Sequence, residues 1–262
     1  MSDVDRRWVG SMPEAYDRWL APTVFRPFAV ELARRISARR PRRILELAAG
    51  TGVLTRELLA AGPGDVTATD LIDAMVEFGR RQVPEATWQR ADALDLPYDA
   101  DRFDVVACQF GVMFFPDKPA AFAEARRVLG PEGSLVFSTW ATVDRHDFAA
   151  ALVAGLERAF PDDPPPFLAA VPYGYADLDI VLADVRAGGF ERLAAETVTL
   201  EGQAASAADV AAGFCTGTPL GAEIEARGDL AGVVALLTEE MESRLGSGPV
   251  TGRMTAHVIE AG

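Results

Sequence analysis

Two glycines lie at a point in the sequence where the backbone can approach a ligand. Gly50 and Gly52 follow the short apolar run 44–47, and a glycine turn at the carboxyl end of a strand leaves room for a ligand against the main chain. Asp70 ends the next apolar run, where a carboxylate can accept hydrogen bonds from the two hydroxyls of a ribose. With Glu46 just before the turn, this arrangement predicts a ligand that contains adenosine.

The same turn departs from the dinucleotide fingerprint G-x-G-x-x-G. That pattern requires glycine or alanine at position 55, where this chain has Thr55. A nicotinamide-dependent oxidoreductase is therefore the less favoured interpretation.

Other reactive side chains are scarce. Lys118 is the only lysine and asparagine is absent, so chemistry that needs either residue is limited. The two histidines, His146 and His257, are too few and too far apart to suggest a histidine metal motif, and we expect no metal. The two cysteines, Cys108 and Cys215, permit no disulfide framework, so we expect both to be buried, reduced thiols.

Strands and helices alternate through the first half of the chain. Apolar residues three and four apart predict an amphipathic helix over 24–39, which Pro41 closes. The sequence predicts strands at 44–47, 66–69, 103–108 and 134–139, the last one after a turn at 130–133, and 87–90 gives a weaker pattern for a further strand. The intervening helices imply right-handed crossovers and a Rossmann-like α/β fold, with a mostly parallel sheet and helices on both faces.

The second half is less regular and contributes two more predicted strands, at 192–200 and 253–260. Residues 202–251 between them have mostly helical composition, which predicts a helical cap inserted before the last of seven strands. Because no repeat or low-complexity linker divides the chain, we interpret 1–262 as one domain. Its parts are an N-terminal helical segment (1–40), a cofactor-binding core (41–140) and an acceptor-side half (141–262).

Composition and charge limit the partners. The 262 residues carry 39 acidic and 25 basic side chains, a formal net charge of −14 that would repel nucleic acid. No stretch approaches the roughly 18 to 20 consecutive apolar residues of a membrane-spanning helix, and the start MSDVDRRW lacks the apolar segment of a secretion signal. We therefore expect a cytoplasmic protein that binds a small molecule and neither nucleic acid nor a membrane.

Five segments occur along the chain in a fixed order: ILELAAGTG (44–52), TATD (67–70), RADALDLPY (90–98), FDVVACQFGVMFF (103–115) and RRVLGPEGSLVFSTW (126–140). In this order they resemble the class I S-adenosylmethionine-dependent methyltransferases, and more narrowly the small-molecule methyltransferases of ubiquinone and menaquinone biosynthesis. The resemblance covers about residues 40–140. The family usually has a glycine where this chain has Ala48. An alanine is tolerated there if its φ is negative, so we expect cofactor binding to be intact.

The resemblance implies a site for S-adenosylmethionine, with S-adenosylhomocysteine as the product. Asp70 would bind the ribose hydroxyls, Asp92 would accept from the adenine amine, and Gln109 would lie behind the sulfonium. The implied cofactor-binding residues are Glu46, Ala48, Gly50, Gly52, Asp70, Leu71, Ile72, Asp92, Ala93 and Gln109, with Tyr16 and Trp19 in an aromatic segment that often closes over the cofactor. Structural alternatives are helix caps or surface carboxylates for the aspartates, a polar strand end for Gln109, and packing for the apolar and aromatic side chains.

The resemblance implies methyl transfer to a small molecule by in-line displacement, in which alignment and exclusion of water supply most of the rate. A base is needed only if the acceptor carries a proton, and His146 is the catalytic candidate, with a surface loop histidine as the alternative. Aromatic side chains either line an apolar pocket for a hydrophobic or aromatic acceptor or pack in the core. Those that define the predicted pocket are Phe114, Trp140, Phe167 and Tyr173. The segment 214–220 either closes this pocket or forms a homodimer contact.

A second class of function stays open beside this enzyme. Catalysis by alignment requires no nucleophile, so the sequence does not exclude a catalytically inert S-adenosylmethionine-binding module that acts as a sensor or assembly partner. The nicotinamide-dependent oxidoreductase ranks below both because of Thr55.

Overall fold

The computed structural model describes residues 12–62 and 64–262. Within these residues a seven-stranded sheet has the strand order β3-β2-β1-β4-β5-β7-β6. The strands are β1 (Arg43–Glu46), β2 (Asp65–Asp70), β3 (Thr87–Arg90), β4 (Phe103–Gln109), β5 (Leu129–Trp140), β6 (Leu193–Ala204) and β7 (Val250–Ala261). The helices are α1 (Met12–Ala15), α2 (Arg26–Ser37), α3 (Val53–Ala61), α4 (Asp73–Gln82), α5 (Lys118–Val128), α6 (Asp147–Ala159), α7 (Phe167–Ala170), α8 (Leu178–Ala187), α9 (Ala207–Gly217), α10 (Leu220–Glu225) and α11 (Leu230–Leu245). A π-helical segment, Tyr16–Phe25, joins α1 to α2.

The sheet is mostly parallel. β1 pairs in parallel with β2 on one side and β4 on the other, and the outer pairs β2–β3 and β4–β5 are parallel as well. β7 runs antiparallel to β5, with Thr139 opposite His257. The apolar run of β4 is buried along most of its length, as expected for a central strand covered on both faces. The predicted Rossmann-like fold is confirmed.

Three predicted boundaries near the C-terminal strands are wrong. β5 begins at Leu129, so the predicted turn at 130–133 lies inside the strand. Its pairing with β4 shifts there, because Phe103 lies opposite Leu129 while Val105 lies opposite Ser134, and this irregularity absorbs the extra residues. β6 and β7 also extend beyond 192–200 and 253–260, which shortens the helical insertion between them.

The described residues form two compact units. We call residues 28–62, 64–140, 175–198 and 256–262 the core unit, and residues 12–27, 141–174 and 199–255 the helical unit. The predicted organisation as a single domain stays a prediction.

The core unit buries its helices against the strands. α3 and α4 pack on β2, α5 packs on β5, and α8 packs on α5. Ile44 and Leu45 of β1 are fully buried, and the rings of Phe122 and Phe137 meet at a centroid distance of 5.3 Å. The helix α5 begins after Asp117, whose carboxylate accepts a hydrogen bond from the Ala120 N–H and so caps the first turn.

The helical unit is held by close helix packing and ion pairs. α9 packs on the segment Tyr16–Phe25, and α11 packs on α6 and α9. A side chain at Gly213 would place its Cβ 2.7 Å from the Cβ of Trp19, so the glycine permits the close approach of the two backbones. Glu240 of α11 forms ion pairs with Arg158 and Arg244. No helix in the described part of the chain is long and apolar enough to cross a membrane.

Candidate functional site

The turn after β1 carries three residues in the left-handed region of backbone space. The φ angles are 51° at Ala48, 55° at Gly50 and 88° at Gly52. Our expectation of a negative φ at Ala48 is therefore wrong. Backbone hydrogen bonds from the residues on either side, Leu47 to Ala107 and Ala49 to Thr69, tie the turn to the neighbouring strands, and this is why the alanine is held in a strained conformation that costs about 1–2 kcal/mol.

A glycine in another loop makes room for the Ala48 side chain. A Cβ at Gly111, just after β4, would lie 2.5 Å from the Cβ of Ala48 and 2.7 Å from the Sγ of Cys108. Any side chain at position 111 would therefore collide with both. Gly111 was not among the predicted site residues, although a glycine two residues after a strand end was the available signal.

The two glycines of the turn have different surroundings. A Cβ at Gly50 would meet nothing within 4 Å, whereas one at Gly52 would lie 3.1 Å from the Trp88 ring. The indole N–H of Trp88 donates to the Val83 carbonyl at 2.9 Å, which holds the ring in place. Gly50 thus leaves open space for a ligand, and Gly52 permits close packing within the protein.

Asp70, at the end of β2, accepts hydrogen bonds from the turn after β1 and from the segment that follows β2. Its Oδ2 accepts from the Gly50 N–H at 2.9 Å and its Oδ1 from the Ile72 N–H at 3.0 Å. Burial raises the pKa of Asp70, while the backbone N–H groups around it oppose that rise. A carboxylate has about four lone-pair positions, so acceptor positions remain for a ligand.

Glu46, at the end of β1, is buried beside a threonine of α3. Thr55 donates its hydroxyl to Glu46 Oε2 at 2.6 Å, and both residues are almost completely inaccessible. Burial raises the pKa of Glu46 to about 8, against the hydrogen bond from Thr55, and the nearby Asp70 adds to the rise. Thr55, whose presence argued only against a dinucleotide, is therefore the hydrogen-bond donor to the buried carboxyl of Glu46.

The segments after β2 and β3 come together at the same edge. The Ala91 N–H donates to the Asp70 carbonyl at 3.0 Å, which brings the predicted adenine-binding segment beside the predicted ribose-binding acid. Asp92 is exposed and accepts from the Leu94 N–H at 2.9 Å, and Ala93 is half-buried. Leu71 is half-buried and Ile72 is buried.

The end of β4 carries a second strained residue. Phe110 has a φ of 52°, and its ring stacks on Trp140 at a centroid distance of 3.5 Å with Phe28 edge-on to both. Gln109, before it, lies opposite Ser138 of β5. Phe114 is 42% exposed and accessible to a ligand, whereas Trp140 is buried in this aromatic cluster.

Five predicted site residues belong to the helical unit. His146 is 1% exposed, which excludes the alternative of a surface histidine, and its ring lies 4.7 Å from that of Tyr173. Tyr16 stacks on Phe25 at 4.8 Å, and the Arg18 guanidinium lies over Trp19. Phe167, at the start of α7, is buried. Their predicted roles toward cofactor and acceptor stay predictions.

A glycine turn and a hydrogen-bonded aspartate at the carboxyl ends of adjacent parallel strands define the class of nucleotide-binding α/β proteins. We call residues 46–52, 70–72 and 109–111 the carboxyl edge. The Asp70 carboxylate supplies acceptor oxygens, and Gly50 supplies backbone without a side chain beside open space. These features suit a nucleoside with a polar tail.

Comparison with known proteins identifies the family within this class. Residues 45–137 match the methyltransferase domain family. The chain is 35% identical over 161 residues to the malonyl-[acyl-carrier protein] O-methyltransferase of Halorhodospira halophila, covering 56% of this chain and 53% of that protein. It is 31% identical over 185 residues to the ubiquinone/menaquinone biosynthesis C-methyltransferase UbiE of Acidiphilium cryptum, covering 65% of this chain and 74% of that protein.

A solved structure supports the fold. The YcgJ protein from Bacillus subtilis has a TM-score of 0.56 at 21% identity, covering 90% of this chain and 97% of that one. The chain spans about half the length of some curated relatives that it matches: 53% of the Halorhodospira halophila protein and 47% of a demethylmenaquinone methyltransferase from Clavibacter sepedonicus. The chain belongs to the class I S-adenosylmethionine-dependent methyltransferases, as the order of its motifs predicted. S-adenosylmethionine, the predicted cofactor, is the methyl donor of this family.

Proposed function

We propose that this chain transfers the methyl group of S-adenosylmethionine to a small apolar or aromatic metabolite. The observation that carries the proposal is the Asp70 carboxylate, which the Gly50 and Ile72 N–H groups hold beside open space. The two hydroxyls of a ribose fit the remaining acceptor positions, and an amino-acid tail fits the bare backbone of the turn. Family membership supports the choice of methyl donor.

The residues present fit the cofactor. The open Cβ direction at Gly50 and the fixed carboxylate of Asp70 are the two features that a nucleoside with an amino-acid tail requires. Asp92 would bind the adenine amine, and Gln109 would lie behind the sulfonium. When bound, S-adenosylmethionine supplies an electrophilic methyl group.

The work of the protein in this reaction is alignment. In-line displacement requires the acceptor, the methyl carbon and the sulfur to be nearly collinear with water excluded, and rigid elements supply this best. The strained residues Ala48 and Phe110, each fixed by its surroundings, keep the two loops of the carboxyl edge in one conformation.

His146 is our candidate base for an acceptor that carries a proton. We expect His146→Gln to lower kcat for such an acceptor while the affinity for S-adenosylmethionine is unchanged. An acceptor that is already ionised should react equally fast with both proteins. If His146→Gln and the parent protein also react equally fast with the acceptor that carries a proton, His146 has no part in the mechanism.

The acceptor class rests on four aromatic side chains. Phe114 offers an exposed ring in the core unit, and Trp140 of the same unit is buried against Phe28 and Phe110. The roles of Phe167 and Tyr173 in acceptor binding stay predictions from the sequence. One relative is a malonyl-[acyl-carrier protein] O-methyltransferase and another a ubiquinone/menaquinone biosynthesis C-methyltransferase, so the relatives differ in the reactions that their names describe.

The test is binding followed by turnover. Calorimetry should show binding of S-adenosylmethionine and S-adenosylhomocysteine but not NADH, and affinity for NADH alone would overturn the proposal. A panel of hydroxylated aromatics, quinols and aliphatic carboxylic acids is then scored by release of S-adenosylhomocysteine. We expect release with an aromatic or quinol acceptor and none with the aliphatic acids.

The inert binding module is the second candidate. It is favoured if the cofactor binds tightly and no member of the panel is methylated. A cytoplasmic location, the absence of nucleic-acid and membrane partners, and a homodimer contact through 214–220 stay predictions.

A further inference from the structure

The chain between β3 and β4 is irregular, yet it carries a residue of the proposed cofactor site. We call residues 91–98 the post-β3 loop; it contains Asp92, the proposed partner of the adenine amine, and no regular helix or strand. The start of the loop is tied to β2, because the Ala91 N–H donates to the Asp70 carbonyl at 3.0 Å. The Leu94 N–H donates to Asp92 Oδ1 at 2.9 Å, which shapes the loop locally but does not attach its far end to the sheet or to a helix.

Two charged side chains of α5 hold the far end of the post-β3 loop. Glu124 Oε2 accepts from the Leu96 N–H at 2.9 Å. Arg127 donates from Nη2 to the Leu96 carbonyl at 2.9 Å and from Nη1 to the Tyr98 carbonyl at 2.7 Å. Leu96 is 3% exposed, so α5 supplies partners for both backbone groups of a buried residue.

Glu124 and Arg127 also hold each other in a fixed geometry. Arg127 Nε and Nη2 donate to the two carboxylate oxygens of Glu124, each at 2.7 Å, which forms a bidentate pair. The hydrogen bond from Arg127 lowers the pKa of Glu124, and the Leu96 N–H adds to this against the effect of burial.

Stabilisation of the fold alone does not account for this pair. The side chains of Arg127 and Glu124 are 38% and 20% exposed, and an ion pair in such a position contributes little to stability. Its hydrogen bonds to three backbone groups of one loop are the more specific feature, since they determine where that loop lies.

We propose that Glu124 and Arg127 are positioning residues of the cofactor site, which fix the post-β3 loop so that Asp92 meets the adenine amine. This inference rests on the proposed function. The Ala91 N–H holds the start of the loop and the pair on α5 holds its end, so Asp92 lies between two fixed points. A carboxylate that is already in place binds its ligand at a lower cost in conformational entropy.

The experiment compares two ligands by calorimetry on the full chain. One is S-adenosylhomocysteine and the other is its 6-deamino analogue, in which a hydrogen atom replaces the adenine amine. The parent protein should bind S-adenosylhomocysteine more tightly, and equal affinities would overturn the inference. In Arg127→Gln we expect S-adenosylhomocysteine to bind at least about fivefold more weakly and the analogue to stay within about twofold of the parent, because the fixed Asp92 contributes only to binding of the amine.

The ratio of the two affinities separates positioning from a structural role. A substitution that merely weakens the fold should affect both ligands equally, so a ratio unchanged from the parent would overturn the inference. Glu124→Ala should lower the ratio as Arg127→Gln does. Glu124→Gln keeps an oxygen that can accept from the Leu96 N–H, and its ratio should lie closer to that of the parent. Equal ratios in these two variants of Glu124 would contradict the inference.

Arg126→Gln is the matched control. Arg126 precedes Arg127 on α5, and it forms no hydrogen bond or ion pair with any residue in the described part of the chain. Its ratio should equal that of the parent, and a loss as large as that of Arg127→Gln would overturn the inference. A parent protein that does not bind S-adenosylhomocysteine would overturn the proposed function and this inference with it. Binding by the parent with unchanged ratios in the variants would overturn this inference alone.

Discussion

The carboxyl edge of the core unit and the helical unit are stabilised by different kinds of interaction. At the carboxyl edge, short polar contacts fix single atoms, such as the Gly50 N–H on Asp70 and the Thr55 hydroxyl on Glu46. In the helical unit, helices pack through shape, with Gly213 against Trp19, and Glu240 joins two arginines. The residue types at the edge are therefore fixed mainly by single hydrogen bonds and backbone angles, whereas the helical unit depends mainly on complementary volumes, to which the ion pairs of Glu240 are added.

This difference predicts which property of the protein a substitution should change in each region. A change at the edge should alter ligand affinity or a local backbone conformation, because few atoms carry each role. A change in the helical unit should be spread over many contacts and appear in stability. Each pair of variants described next compares a residue of the carboxyl edge with a residue elsewhere in the core unit.

Gly50→Val should have the largest effect. The open space next to Gly50 is where the proposed ligand lies, so the new side chain should weaken S-adenosylmethionine binding at least about 100-fold, or about 2.7 kcal/mol, by calorimetry. Gly62→Val is the control, because Gly62 also has a positive φ and no neighbour within 4 Å but lies at the end of α3. Both variants should lose about 1–2 kcal/mol of stability. Equal affinities would show that the ligand does not lie over Gly50.

Asp70→Ala should have the next largest effect. Loss of hydrogen bonds to a charged group should weaken cofactor binding by about 1.5–3 kcal/mol, or roughly 10- to 150-fold. Asp104→Ala is the control, because Asp104 also accepts two backbone N–H groups, those of Arg42 and Arg43, at the opposite end of the adjacent strands. Both variants should lose stability, and only Asp70→Ala should lose affinity. A similar loss of affinity in both would mean that folding, and not ligand contact, is responsible.

Gly111→Ala tests the contact between two loops of the carboxyl edge. The new methyl would collide with Ala48 and Cys108, and we expect about 1–3 kcal/mol less stability in urea unfolding. Adding Ala48→Gly removes one of the two clashes and should restore at least about 0.5 kcal/mol beyond additivity. Gly130→Ala is the control, since its Cβ would meet only the Phe103 carbonyl at 3.7 Å. Strict additivity would show that the loops do not touch as described.

The sequence predicted the carboxyl edge better than the rest of the molecule. β1 and β4 are short buried runs, Gly50 follows β1 and Asp70 ends β2, so the local pattern was enough to find these two residues. The conformation of Ala48 was missed because it depends on Gly111, more than sixty residues away along the chain. The pair of Glu46 and Thr55 was missed for the same reason, since only the folded turn brings strand and helix together.

For the helical unit, the composition of the sequence predicted helices but not how they pack. Residues 202–251 were expected to be helical, and α9, α10 and α11 lie there, but nothing local indicated that α9 packs on Tyr16–Phe25. For the start of β5 the local pattern was misleading. A Gly-Pro segment normally predicts a turn, but residues 130–133 lie within β5, where its pairing with β4 shifts between Phe103 and Val105.

Glu46→Gln should have the smallest effect, and it acts on pH dependence. Burial raises the pKa of Glu46 to about 8, so its contribution to stability is complete below its usual pKa near 4.5 and is lost as the pH rises through about 8. Between pH 7 and pH 8 the parent protein should therefore lose up to about 1.4 kcal/mol in the free energy of unfolding, relative to the variant. Urea titrations at the two pH values measure this difference. The exposed Glu191→Gln should keep the parent's slope, and a variant of Glu46 with that same slope would mean that Glu46 is already ionised at pH 7.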